Sequence, residues 1–244
     1  MRLFVWILAG CLLASSANAH DWRYAIFSEP TDRYAHAVLG DDIEYGGLEL
    51  RSLADEKSVL FTITLPEERV FEDLKPRKTT LGPDNHEALV VVESHRDLGA
   101  QLAVYDIVES GESARLVKRA ATDPIGRSYR WLAPAGIADF DGDGQNDIAY
   151  VETPHLGKIL KIVTLKGDQL VPIVEPKAGF SNHAIGEDFI TSDVRDCAGP
   201  VELLTPDASR STLMAVRVEG GAIVAEPTSY APSLAGIEEA KRCA

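Results

Sequence analysis

The chain has 244 residues, with 38 acidic and 24 basic side chains and a formal net charge of -14. Such a balance argues against a nucleic-acid partner, whose phosphates require a cationic surface, and against attraction to anionic lipid. The length suffices for one domain with a sizeable core, within the range of single all-β domains.

Residues 1–19 read as a targeting segment. Arg2 supplies the positive start, "LFVWILAGCLLA" the apolar stretch, and "SANA" ending at Ala19 a small-residue cleavage signal. The apolar run is too short for a spanning helix, and no later segment approaches that length. "LAGC", Leu8 to Cys11, has the letters of a lipidation signal, but the apolar run continues past it, so cleavage after Ala19 is favoured over a lipidated Cys11. The expected mature chain is a single domain over 20–244, periplasmic or secreted. Its charge is -15, the total of -14 less the +1 of Arg2.

From there the sequence is a succession of short runs rich in Val, Ile, Leu, Thr and Tyr, bounded by Gly, Pro, Asp and Asn. In chain order these include "WRYAIFSE", "SVLFTITL", "EALVVVES", "AQLAVYDIV", "NDIAYVET", "KILKIVTL", "TLMAVRVEGG" and "AIVAEP". Many short strands with frequent turn signals predict an all-β fold. Only the tail from Ser233, "SLAGIEEAKRC", has helical character.

The runs repeat. "EALVVVESHRDLGAQLAVYDIVES" from Glu87 and "NDIAYVETPHLGKILKIVTLKGDQ" from Asn146 align, matching Glu93 with Glu152 and Leu98-Gly99 with Leu156-Gly157. A third copy starts at Gly199 and a fainter one at Gly46. The units begin near His36, Lys78, Pro134 and His183. Three to four strands per unit at this spacing predict β-propeller blades, because one small sheet cannot bury both its faces alone. The expectation is four blades, with a fifth available from Trp22–Glu29 and the C-terminal segment, the first strand closing the ring on the last blade. Once Cys11 leaves with the leader, Cys197 and Cys243 form an even pair, expected as a disulfide in an oxidising compartment.

One stretch stands apart: "DFDGDGQND", Asp139 to Asp147. Carboxylates at positions 1, 3, 5 and 9, a glycine at 6 and a main-chain carbonyl at 7 suit a hard cation, and a curled loop of oxygens favours calcium over magnesium. An EF-hand is excluded: position 12 is Tyr150 where a bidentate glutamate is required, and a strand-like run follows where a helix is needed.

"GIADFDGDGQNDIAYVET" resembles the FG-GAP or VCBS type repeat of integrin-like β-propellers and secreted bacterial proteins. The resemblance implies Asp139, Asp141, Asp143 and Asp147 as side-chain ligands of calcium and Gln145 as a main-chain ligand. Elsewhere the pattern is worn, and no metal is assigned to the other repeats.

Signatures of catalysis are absent: there is no G-x-S-x-G elbow, no H-E-x-x-H helix, no P-loop and no C-x-x-C. Tyr129, Arg130 and Trp131 could line a ligand pocket through stacking and cation–π contact, or pack between blades. His36, His86, His95, His155 and His183 read as turn residues making local hydrogen bonds. His20, the expected mature N-terminus, offers an amine and an imidazole to copper, on weak grounds. The expected function is binding of a protein or polysaccharide of the envelope or exterior, with calcium structural. The alternative is a hydrolase or lyase using the central-channel face, and three or more histidines in one place would favour it.

Overall fold

The structure, a computed structural model, describes residues 20–54, 56–111 and 113–243. The expected targeting segment, Cys11 included, lies outside the described residues. The described residues form three antiparallel sheets and one short helix, so the all-β reading of the strand pattern holds.

The first sheet has eight strands: β1 (Asp21–Thr31), β2 (Glu44–Ala54), β3 (Lys57–Thr64), β4 (Arg69–Phe71), β5 (Arg77–Leu81), β6 (His86–His95), β7 (Gly99–Ser110) and β8 (Ser113–Ala121). The second contains β9 (Leu132–Ala138), β10 (Asp147–Glu152), β11 (Ile159–Lys166), β12 (Gln169–Pro172) and β13 (Lys177–Ala178). The third contains β14 (Asp193–Arg195), β15 (Glu202–Pro206), β16 (Leu213–Glu219) and β17 (Ala222–Pro227), followed by α1 (Leu234–Ala240). Three meanders emerge, β5 to β8, β9 to β12 and β14 to β17, each with sequential neighbours paired. Two expected repeat starts fall inside the first strand of a meander, Lys78 in β5 and Pro134 in β9. His36 and His183 lie in connections.

Two expectations need correction. The first two units are not separate, because β4 pairs with the end of β6 (Arg69↔His95, Phe71↔Glu93) and touches β2 at Tyr45, joining both into one sheet. Furthermore, β1 does not pair with the last unit. It runs along β2 from Asp21↔Leu53 to Thr31↔Glu44, because its inward residues Ala25 and Phe27 have their apolar partners beside Leu48 and Leu50.

Strand periodicity explains the stacking. Successive side chains point to opposite faces, and in β6 Leu89 and Val91 enter one core while Ala88, Val90 and Val92 enter another. In β10 Ile148 and Tyr150 face the first sheet, whereas Ala149 and Val151 face the third. In β15 Leu203 looks back at the second sheet and Leu204 looks forward to α1. The units therefore pack face to face in chain order. The helix closes the stack with Ile237 and Ala240 buried against Leu204, Leu213 and Ala215. Ser233 caps α1, its hydroxyl accepting from the Gly236 amide at 3.2 Å, which meets a donor the first turn leaves unpaired.

The repeat equivalences hold at the level of side chains. Glu93 is fully buried and accepts from Lys118 (2.6 Å) and Tyr105 (2.6 Å), with Arg69 and Gln101 also in reach. Its counterpart Glu152 pairs with Lys161 at 2.5 Å. Gly99, in the matched Leu-Gly turn, has φ +73, and a Cβ there would stand 2.2 Å from the Arg127 carbonyl oxygen. Glycine is required by both backbone and space.

Cys197 and Cys243 form the expected disulfide, with Cα atoms 5.8 Å apart. It ties the end of α1 to the loop before β15, and Lys241 adds an ion pair with Asp193 at 2.5 Å. The bridge spans a sequence separation of 46, and loop-closure entropy over such a length contributes about 3–4 kcal/mol. A Cys197→Ala, Cys243→Ala double variant is expected to lose stability on that scale, measured by urea unfolding under oxidising conditions.

Candidate metal centre and histidine cluster

The acidic loop is the connection from β9 to β10, anchored at three points. Phe140 is buried in the core between the second and third sheets. Asn146 donates to the Thr80 carbonyl at 3.1 Å, fastening the loop to β5. Asp147 begins β10, paired with Ala138. Between these anchors the chain curls through Gly142 (φ +80) and Gly144 (φ +87), a conformation that glycine adopts without strain.

Inside the curl, Asp139 organises the backbone. Its Oδ1 accepts from the amides of Gly142 (2.7 Å) and Asp143 (3.1 Å), and its Oδ2 from Gly144 (2.9 Å). Asp141 Oδ1 accepts from the Asp143 amide at 3.2 Å. Asp139, Asp141 and Asp147 each present an oxygen within 4.8 Å of the other two. Asp143 is turned onto Gln145, accepting from its amide (2.8 Å) and its Nε2 (3.0 Å). Three of the four expected carboxylates thus converge, while Asp143 and Gln145 bond to each other.

Asp147 is the telling member. It is buried; one carboxylate oxygen accepts from the Phe140 amide at 3.0 Å, and the other is buried without a partner among the described residues. Burial, with the charges of Asp141 and Asp143 adding, pushes its pKa up to about 6, against the Phe140 amide and the neighbouring Thr164 hydroxyl. A buried carboxylate with an open oxygen is costly unless a charge meets it. The residues present fit a hard cation, since three carboxylates bring oxygens within 4.8 Å of one another and one of them, Asp147, keeps a buried oxygen without a partner among the described residues.

Tyr129, Arg130 and Trp131 do not act as one group. Trp131 is core, 2% exposed, its indole N–H donating to the Glu72 carbonyl at 2.8 Å. Arg130 turns back to the Tyr129 carbonyl. Tyr129 is half exposed, its ring stacked on Tyr34 at 5.1 Å and 5.2 Å from the His36 ring.

Beside Trp131 the structure brings together two histidines from distant parts of the chain, while a third, His36, lies against Tyr129 and Glu72. His155 lies parallel to the indole at 6.3 Å and His183 meets it edge-on at 4.8 Å. His155 Nε2 is 3.0 Å from His183 Nδ1, and His183 Nε2 is 2.8 Å from the Glu187 carbonyl oxygen. His36 Nδ1 is 2.5 Å from a carboxylate oxygen of Glu72, whose other oxygen accepts from Ser94. Desolvation and the neighbouring imidazole push His155 down to about 4, and burial likewise lowers His183. Of the remaining histidines, His95 and His86 stay local, with the Asp97 amide and Asp84, whereas His20 meets Glu109 of β7.

Sequence reasoning missed Glu72, Tyr34, Glu187 and Arg210. An acid directly after the apolar Val70-Phe71 in "RVFED" was the available signal for Glu72. Glu187 and Arg210 form a two-toothed ion pair at 2.8 and 2.9 Å that only the fold brings together. A cleft of about 570 Å³ opens nearby, lined by Arg77, Gly136, Ile137, Phe189 and Asp193, with segments from all three sheets or their connections. No protein-family model matches the chain, and no curated protein does either.

Glu72 has buried company. Glu44 is 2% exposed, and burial first, then the charges of Glu72, Asp41 and Asp73, push its pKa up to about 9. The folded state therefore binds a proton that the unfolded chain releases near 4.5. Its contribution to stability is present below that value and is lost as pH rises towards about 9. Glu44→Gln is expected to melt above the wild type at pH near 9, with the gap closing near pH 4.5, checked by thermal melts across that window.

Proposed function

We propose that this chain is a calcium-stabilised binding module of the cell envelope or exterior, periplasmic or secreted, built as a propeller-like stack whose first two repeat units share one sheet. The reading is carried by the acidic loop, where the carboxylates of Asp139, Asp141 and Asp147 converge and Asp147 keeps one buried oxygen without a partner among the described residues. Calcium there would offset the mutual repulsion of Asp139, Asp141 and Asp147 and pin the turn that enters β10. The FG-GAP or VCBS resemblance of the loop supports the same assignment, with Asp143 and the Gln145 carbonyl as its remaining ligands. Meanders whose alternate residues serve two cores support the blade reading. The disulfide is compatible with an oxidising compartment. No helix among the described residues is long and apolar enough to cross a membrane. A rigid stack presents its loops to a protein or polysaccharide partner.

A hydrolase or lyase on the same scaffold has one observation in its favour, the contact between His155 and His183. Against it, the hydroxyls of Ser94 and Ser181 donate to Glu72 and to the Pro154 carbonyl, and among the described residues no hydroxyl is paired with a ring nitrogen acting as base.

Calcium that binds the folded state alone raises the unfolding free energy by about 2.7 kcal/mol at a hundredfold excess over its Kd. The expected outcome is a calcium-dependent rise in Tm, reversed by EGTA and abolished in Asp141→Ala. A melting curve indifferent to calcium sinks the assignment.

A further inference from the structure

We infer that the cleft between the first and second sheets, where Tyr150, Glu152 and Lys161 meet the end of β8, binds a neutral saccharide unit. The inference rests on the reading of the chain as a binding module and names the class of its ligand. Strand periodicity builds one wall. Tyr150 and Glu152 stand two residues apart on β10 and so share a face, and Tyr150 pairs across the ladder with Lys161 of β11. On the same side of the sheet, Val163 and Leu170 pack in the core shared with the first sheet. That sheet does not cover the whole wall, because β8 stops at Ala121 and the chain leaves through Thr122 and Asp123. A cleft of about 400 Å³ opens there, at the lower end of the roughly 300–1,000 Å³ that small-ligand sites occupy.

The Tyr150 hydroxyl is the group that calls for a ligand. Tyr150 is only 3% exposed and its ring belongs to the core, yet its hydroxyl lines the cleft without a hydrogen-bond partner among the described residues. A buried phenol ordinarily finds one, and leaving it unpaired costs more than a typical hydrogen bond contributes. Burial first, then the Glu152 charge, holds this phenol above its ordinary pKa, so it keeps its proton and donates. Beside it, one oxygen of Glu152 accepts from Lys161 at 2.5 Å, and the other is open among the described residues. The Asp123 carboxylate and the Gln169 side chain line the same cleft, also without partners among the described residues.

The mix of groups selects the class. Tyr150 and Lys161 donate, Glu152 and Asp123 accept, and Gln169 does both. A sugar hydroxyl is donor and acceptor at once, so neighbouring hydroxyls on one ring meet groups of both kinds. An anion would face Glu152, Asp123 and Asp168 in a chain of net charge -14. An ammonium group only donates, which leaves the protons of Tyr150 and Lys161 without an acceptor. Leu170, Pro172 and Val174 add aliphatic surface for the C–H faces of the ring.

The test titrates methyl glycosides of glucose, galactose, mannose and N-acetylglucosamine into the protein by calorimetry, with and without calcium. Wild type is compared with Tyr150→Phe and with His86→Gln, a control outside the cleft. A glycoside is expected to bind wild type and control equally at millimolar concentration, and Tyr150→Phe about three- to tenfold more weakly, the loss of one hydrogen bond. Tyr150→Phe removes a hydroxyl that the described residues do not bond, so its Tm is expected to match the wild type. Should it fail to fold, amide shifts of the wild type with glycoside decide. Changes at Tyr150, Lys161 and Leu170 support the cleft, and changes only elsewhere overturn it. No response to any of these glycosides overturns the inference, as does equal affinity in Tyr150→Phe or tighter binding of putrescine or galacturonate. A Tm that rises with calcium in a protein that binds no glycoside overturns this inference and leaves the calcium assignment standing. Glycoside binding to a protein indifferent to calcium supports it while the calcium assignment falls.

Discussion

A central strand in this molecule has two apolar faces to bury, and the strands paired beside it cover neither: in β6 one face packs on β1 to β3 of the same sheet, while in β10 and β15 both faces meet other sheets or α1. In β6, β10 and β15 adjacent residues belong to different cores, so each sheet is held by what packs before and after it. Removing a side chain such as Ile148 or Val151 would open a cavity between two sheets. The same constraint places the sites. Strands are committed to packing, so chemistry is left to the connections between them, and both the acidic loop and the histidines occupy such connections.

The two sites differ in how they are built. The acidic loop is local: nine consecutive residues supply its carboxylates, and the distant anchors to Thr80 and the core only set its position. The histidine cluster is assembled from four remote segments around Trp131, whose indole is itself fastened to Glu72. Tyr34, Glu72, His155 and Arg210 become neighbours only because the sheets stack in this order. Trp131 therefore joins roles the sequence presented as rivals, core residue and wall of a site.

That difference decides what could be read in advance. Alternation in "EALVVVES" and "NDIAYVET" announced buried strands, and spacing in "DFDGDGQND" announced converging carboxylates, because both signals lie within a few residues. The helical tail from Ser233 was legible for the same reason, and the Cys197–Cys243 pair by count, since no third cysteine remains once Cys11 leaves. The partner of β1 was not, since "WRYAIFSE" has apolar residues to offer either neighbour and only register with β2 settles the choice. Nor was the turning of Asp143 onto Gln145, a competition between side-chain and metal geometry that spacing does not encode. The convergence of His155 and His183 depends on contacts across 28 residues, beyond the reach of local pattern.

The two ends of the stack are unlike. At the first, Tyr24, Ile26 and Leu60 stand 44–47% exposed on the outer face, with Arg51 lying over Tyr24 at 5.7 Å. At the last, α1 occupies the surface where a further sheet would rest, and the disulfide holds it there. Open-ended growth of identical subunits needs two complementary ends, one feeding the next. Here the helix is a terminator: it denies the exposed first face a matching sheet on another copy, so the architecture that makes each blade depend on a neighbour does not propagate from molecule to molecule.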